Sequence, residues 1–234
     1  MNQHQKAEAF RALHAGEPFI IPNPWDAGSA KILAALGFKA LAGTSSGFAF
    51  TLGRLDGDVT LDEAVEHVRV LDGATDLPVS MDLENGFGPS PADAARAITQ
   101  AAGAGAVGGS IEDWGPEDGL YPIDDAAARV TAAVEAARAL DFPFTLTARA
   151  ENHIRGNPDL SDTVARLQAY EQAGADVLYA PGLRDAGGQR VSVGGALTWV
   201  AARAMAAAAE QLRDTGDFSV LSGPGPLKDW LQAR

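Results

Sequence analysis

Apolar residues fall along this chain in short unbroken runs, and between the runs lie longer Ala-rich stretches with apolar positions every three to four residues. The runs predict strands at about 19–22, 40–43, 78–82, 107–111, 144–148, 176–180 and 191–193. None alternates apolar with polar, as expected of parallel strands covered on both faces. The intervening stretches predict helices at about 26–36, 60–72, 91–103, 124–140, 161–173 and 196–213. Ser90-Pro91, Asp124 and Ser161 supply starts for three of them. Ala102-Gly103 and Ala173-Gly174 mark helix ends that feed the next strand.

Strand and helix in strict alternation imply a parallel sheet with helices outside it. A closed (β/α)8 barrel of the TIM type is favoured over an open doubly wound sheet, because reactive residue types follow nearly every strand end. No linker or low-complexity segment divides residues 1–234, so a single barrel domain is expected. One count departs from eight units. After the strand at 176–180, only Ala186-Gly187-Gly188-Gln189-Arg190 precedes the last strand, and a parallel crossover needs a dozen or more residues. The seventh βα unit is therefore expected to be missing. That leaves either a seven-stranded, imperfectly closed barrel with the sixth and last strands paired directly and a partner chain shielding it, or a break in the chain at Ala186-Gly187.

A formal net charge of −13 makes nucleic acid and anionic membrane poor partners. It leaves anionic substrates open, since a bound divalent cation reverses the local field. With no cysteine in the chain, disulfides, thiolate zinc sites, iron–sulfur clusters and cysteine nucleophiles are excluded. The N-terminal stretch has no signal-peptide core, and no run is long enough to span a membrane. A cytoplasmic protein is expected.

The densest polar cluster is Ser80-Met81-Asp82-Leu83-Glu84-Asn85-Gly86-Phe87-Gly88, and the next strand ends in Ile111-Glu112-Asp113-Trp114. Carboxylates gathered from adjacent strand ends repel one another unless they are protonated or hold a metal. Mg²⁺ suits such a site, since it takes oxygen ligands and keeps several waters. A solvated pair of acidic loops is the plainer alternative. Arg149, in Ala148-Arg149-Ala150-Glu151, can grip a substrate carboxylate, hold Glu151 in place, or pair structurally with Glu112. In Gly43-Thr44-Ser45-Ser46-Gly47, backbone N–H groups and hydroxyls can cradle an anion. Asp56 is an acid/base or a turn residue. His153 reads as a loop residue, and Gly194-Gly195 as packing glycines.

At these positions the sequence resembles the isocitrate lyase / phosphoenolpyruvate mutase superfamily. The likeness is carried by Asn23-Pro24-Trp25-Asp26, Gly43-Thr44-Ser45, Leu52-Gly53 with Asp56, Asp82-Leu83-Glu84-Asn85-Gly86-Phe87-Gly88, Ile111-Glu112-Asp113 and Ala148-Arg149. It runs from about Phe19 to Asp185 and resumes at Val191. It implies a Mg²⁺-dependent barrel that forms or cleaves a C–C or P–C bond beside a 2-oxo carboxylate through an enolate. It also implies a homodimer or homotetramer with a C-terminal helix exchanged between subunits. By the same resemblance Asp82 is the direct Mg²⁺ ligand, and Glu84 and Glu112 hold the ion through water. Thr44, Ser45 and Ser46 belong to the loop that binds the carboxylate, Arg149 contacts the substrate, and Asp56 is the acid near the reacting bond.

Three departures bear on function. The lyase branch carries Lys-Lys-Cys-Gly-His after the fourth strand, where this chain reads Trp114-Gly115-Pro116-Glu117-Asp118-Gly119. The mutase-type Lys-Phe-Pro-Lys is absent too, and Pro181 replaces a polar residue at the sixth strand's end. Two functions follow: a cysteine-free lyase, decarboxylase or phosphonate hydrolase, or a relic that binds Mg²⁺ and a 2-oxo acid without turnover.

Overall fold

A computed structural model of the chain describes residues 1–183, 188–221 and 227–232. The elements, in chain order, begin with helix α1 (Gln3–His14), strand β1 (Phe19–Ile21), α2 (Ala27–Ala35), β2 (Leu41–Ala42), α3 (Ser45–Thr51) and α4 (Leu61–Ala74). There follow β3 (Val79–Asp82), α5 (Pro91–Gly103), β4 (Gly108–Glu112), β5 (Trp114–Gly115), β6 (Gly119–Leu120) and α6 (Ile123–Arg138). The chain continues through β7 (Thr145–Arg149), α7 (Leu160–Gln172), β8 (Val177–Tyr179), β9 (Arg190–Ser192), α8 (Ala196–Thr215) and α9 (Leu227–Gln232).

Every strand and helix expected from periodicity is present. Several features were not read from the sequence, the short helix α9 among them. Helix α1 is closed by an Asn2–Gln5 capping box and is too polar to show a clear stripe, since only Lys6, Ala7 and Phe10 are buried. Helix α3 starts inside the Gly43–Gly47 segment, with Thr44 as its cap. Strands β5 and β6 form a small antiparallel hairpin. Two expected starts move. Pro122 precedes α6, with Asp124 in its first turn, and Asp159 rather than Ser161 caps α7.

The sheet is parallel and curled, in the order β2-β3-β4-β7-β8, with β1 and β9 as a separate parallel pair. A hydrogen bond from Ala42 N–H to Pro22 O, 3.0 Å, links the pair to the five-stranded sheet. The seven expected parallel strands are thus found, as a half-barrel of the TIM type. The expected direct pairing of β8 with β9 is not: among the described residues no ladder joins them, and β9 uses its backbone on β1, with Ile20 opposite Val191. What crosses that seam is a side chain, Arg190 Nη2 reaching Thr147 Oγ1 at 2.9 Å. The Ala186-Gly187 connection lies outside the described residues.

Small residues set the packing. On α5 and α6, Ala94, Ala97, Ala101, Ala126, Ala133 and Ala137 are buried, which lets the two helices approach each other closely over β3, β4 and β7. Larger apolar side chains such as Ile98, Ile111, Phe144 and Leu146 fill the layer beneath, each contributing roughly 1.5–3 kcal/mol on burial. Helix α1 closes the bottom, where Phe10 sits so tightly on β4 that a Cβ at Gly108 would lie 2.6 Å from its ring. The outer face of the seam lacks such cover: Ile20, Leu178 and Val191 remain 57%, 38% and 49% exposed. No helix among the described residues is long and apolar enough to cross a membrane.

Candidate active site

The parallel register brings the site together. Asp82 stands opposite Ser110, and one step further Glu112 stands opposite Arg149, itself opposite Tyr179. Residues paired in this way point to the same side of the sheet, here the mouth of the half-barrel. Beyond β3 the chain makes an abrupt turn. Glu84 and Phe87 both adopt left-handed backbone conformations, at φ 47° and 58°. Such conformations cost of order 1–3 kcal/mol each for residues with a Cβ, and they cluster at functional sites. The Glu84 carbonyl takes the Glu112 N–H at 2.9 Å, tying the two loops together. Gly86, at φ 89°, can be nothing else, because a Cβ there would lie 2.6 Å from the Ala94 Cα.

Arg149 is the hub. Its Nη1 donates to Asp82 Oδ1 at 2.8 Å, and its Nε and Nη2 donate to Glu151 Oε1 at 3.0 and 2.8 Å. Its Nη2 also lies 2.9 Å from Glu112 Oε2. Burial works against the charge of this guanidinium, but Asp82, Glu112 and Glu151 outweigh it and hold the group firmly protonated. The structural pairing with Glu112 and the holding of Glu151 are therefore both present. A second cation, Arg155, stacks over the Trp114 ring at 3.7 Å and reaches Glu151 Oε2 at 3.3 Å and Glu112 Oε1 at 3.7 Å. Sequence reading passed over Arg155; its place four residues after Glu151 was the available signal.

The remaining expected residues divide. Ser45 is in the site: its hydroxyl donates to Asp82 Oδ2 at 2.9 Å. Thr44 instead caps α3, accepting the Gly47 N–H at 3.3 Å, so its hydroxyl is committed to the helix. Ser46 turns away toward the start of α8, where its Oγ would lie 3.0 Å from a Cβ at Gly195. That contact bears out the packing reading of Gly195. Asp56 lies at the exposed rim. Loss of water around its carboxyl raises its pKa, Ser45 opposes the rise through a hydrogen bond, and the Asp82 charge adds to it. His153 stays on the loop, its buried Nδ1 without a partner among the described residues.

Burial disfavours charge on two of these acids. Burial, reinforced by Asp82 and Asp56, pushes Glu84 up to about 8. Burial also raises Glu112 well above the carboxylate range, though Arg149 opposes it. Among the described residues no hydrogen-bond partner meets the buried Glu84 Oε1. Leaving such an oxygen unmet is costly, and a cation would meet it. Among the described residues no three carboxylates stand close enough to cage a metal by themselves. An ion held here would have to keep much of its water, as Mg²⁺ does.

The curled parallel sheet with an acidic mouth at its strand ends is that of the phosphoenolpyruvate mutase / isocitrate lyase superfamily. The sequence model of the family described as phosphoenolpyruvate phosphomutase matches residues 10–188, and the chain belongs to that family. A lyase/mutase candidate from Burkholderia cenocepacia J2315 has a solved structure that superposes with a TM-score of 0.94 at 47% identity, covering 99% of this chain and 98% of that one. The 2-methylisocitrate lyase of Salmonella typhimurium is 32% identical over 76% of this chain and 63% of its own length. The oxaloacetate decarboxylase of Chromohalobacter salexigens is 31% identical over 79% of this chain and 66% of its own. The chain thus spans a little under two thirds of the length of these curated relatives. A phosphonopyruvate hydrolase solved with oxalate and Mg²⁺ shares the fold at a TM-score of 0.84 and 21% identity, covering 99% of this chain and 95% of that one.

Proposed function

We propose that this chain is a Mg²⁺-dependent lyase-type enzyme that cleaves or forms a C–C or P–C bond beside the carboxylate of a small 2-oxo acid, through an enolate. The observation that carries the reading is the set of acids around Arg149, with Glu84 Oε1 buried in its midst and unpartnered among the described residues. Asp82 would hold the ion directly, and Glu84 and Glu112 through its waters. When bound, Mg²⁺ supplies charge that stabilises an enolate oxygen.

The protein's own residues would do the rest. Arg149 holds Asp82, Glu112 and Glu151 at fixed spacing and presents what remains of its fork to the substrate carboxylate. Ser45 orients Asp82, and the first N–H groups of α3 face a carboxylate beside it. Asp56, at the rim with its carboxyl raised, is suited to pass a proton at the reacting carbon. Within the class, decarboxylation of a 2-oxo dicarboxylic acid is favoured over isocitrate-type cleavage. The chain has no cysteine to match the catalytic one in the lyase branch's Lys-Lys-Cys-Gly-His loop.

A second reading, a binding relic, is favoured by one observation: Asp82 Oδ1 is already bonded to Arg149. Oxaloacetate incubated with the protein and Mg²⁺ separates the two. An enzyme yields pyruvate and CO2 faster than Mg²⁺ alone, whereas a relic binds oxalate with no such rate.

The reading extends to a single-domain, cytoplasmic homo-oligomer in which α8 is exchanged between subunits. Its support is that α8 buries only Thr198 and leaves Trp199, Val200 and Met205 exposed.

A further inference from the structure

Asp113 directly follows Glu112, yet the two side chains face opposite ways, as neighbours at a strand end do. Glu112 faces the acids around Arg149. Asp113 faces α7, with its side chain 1% exposed. Both of its oxygens are used there. Oδ1 accepts the Glu151 N–H at 2.8 Å. Oδ2 accepts Arg166 Nη1 at 3.0 Å and the Tyr170 hydroxyl at 2.5 Å. A buried carboxylate is tolerated only when it is paired and its lone pairs are met, and this one is.

The same unit reaches two more loops. The Asp113 carbonyl accepts the Tyr121 N–H at 2.8 Å, and Arg166 Nη1 donates to the Tyr121 carbonyl at 2.8 Å. The Tyr121 hydroxyl accepts from Asn85 Nδ2 at 2.9 Å, in the loop that follows Asp82. On the far side, the last sheet hydrogen bond of β7 is Ala150 N–H to Tyr179 O at 2.9 Å. The ladder therefore stops one residue short of Glu151, and Asp113 takes over. Glu151, 0% exposed, then offers one oxygen to two nitrogens of Arg149.

We propose that Asp113 is the positioning residue of this site: through Glu151 it sets the plane of the Arg149 guanidinium, and Arg166 and Tyr170 of α7 hold it in place. Asp113 touches neither substrate nor ion. A displacement of about 1 Å in groups that orient a substrate is enough to cost large factors in affinity or rate. The functional consequence rests on the acids around Arg149 being the substrate site, as proposed above; the geometric claim does not.

The test uses the full chain labelled with ¹⁵N-arginine. The Arg149 Nε–H resonance is identified by its loss in Arg149→Lys, and its exchange with water is measured in Asp113→Asn and Tyr170→Phe. Tyr170→Phe removes one donor and keeps the Asp113–Arg166 pair, so it folds even where Asp113→Asn does not. Asp159→Ala, which uncaps α7 without touching Asp113, is the structural control. Expected are Arg149 Nε–H exchange on the order of tenfold faster and Mg²⁺–oxalate affinity on the order of tenfold weaker in both Asp113→Asn and Tyr170→Phe, with neither change in Asp159→Ala. The inference is overturned if the two variants only melt earlier, as the control does, with exchange and affinity as in the wild type. Should the wild type fail to bind oxalate with Mg²⁺, the functional reading falls, and the exchange data alone decide the positioning claim.

Discussion

Arg149 Nη1 stands 2.8 Å from Asp82 Oδ1, while Asp82 Oδ2 carries the Ser45 hydroxyl at 2.9 Å. The acid assigned to the metal is thus held on both oxygens by groups that can share it with an ion. Mg²⁺ is expected to raise the melting temperature, by the equivalent of roughly 2.7 kcal/mol at a hundred times its dissociation constant. Asp82→Ala should melt alike in Mg²⁺ and in EDTA. Identical wild-type melts in the two buffers would remove the metal from the site.

Protons compete for the same oxygens. Glu84 titrates at about 8 in the folded chain, far above its value of 4.5 when exposed. Between those values the folded state holds a proton that the unfolded state has lost, so stability in EDTA should fall as pH rises from about 5 to 8. One pKa unit corresponds to about 1.4 kcal/mol, so the loss is on the order of a few kcal/mol. Glu112, raised by burial, acts in the same direction. Mg²⁺ should bind with release of protons and reverse the trend. Chemical denaturation across this range, with and without Mg²⁺, measures both slopes; a flat profile in EDTA for the wild type would contradict the protonated Glu84.

Arg149→Lys should weaken oxalate binding in Mg²⁺ severely. A single ammonium cannot reproduce Nε, Nη1 and Nη2 directed at three different carboxylates. Each charged hydrogen bond lost costs roughly 1.5–3 kcal/mol, so a hundredfold loss of affinity is about the least to expect. Without Mg²⁺ the wild type should bind oxalate poorly, because the mouth is acidic. Calorimetry showing equal oxalate affinity in EDTA would sink the enolate reading.

Much of this was legible in the chain because parallel strands covered on both faces leave short apolar runs, and the acids follow them directly. Asp82, Glu84, Glu112 and Arg149 could be named from position alone. Which oxygens they share could not, since register decides that Arg149 meets Glu112 and Asp82 meets Ser110. The helix that starts at Thr44 was missed for a local reason. Gly43–Gly47 reads as a glycine-flanked loop, whereas Thr44 is a helix cap, and capping commits its hydroxyl to Gly47. The missing unit showed in the spacing. The open edge did not: β9 pairs with β1 on one edge, and among the described residues no ladder joins its other edge to β8. Asp113 was seen only as a neighbour of Glu112; strand alternation would have turned it toward α7.

The last expectation concerns His67 of α4. It lies 2% exposed, stacked on Phe48 of α3 with ring centroids 4.0 Å apart and planes 7° apart. Neither ring nitrogen has a partner among the described residues. Burial lowers its pKa from 6.5 to about 4, only partly offset by Trp25 and Asp26. A depressed histidine contributes stability that is whole above pH 6.5 and drains away as pH falls toward 4, because the unfolded chain takes up a proton that the folded chain refuses. The loss approaches the order of 3 kcal/mol at the acid end. Phe48 belongs to the helix that carries Ser45, so acid should loosen the Ser45–Asp82 contact along with the fold. His67→Phe keeps the ring stack and removes the titration, and His67→Leu controls for any overpacking by the larger ring. Both should gain stability relative to the wild type as pH falls from 6.5 to 4, whatever slope Glu84 and Glu112 give the two in common. Urea titrations in which the difference between these variants and the wild type stays constant over that range would show that His67 does not titrate as argued.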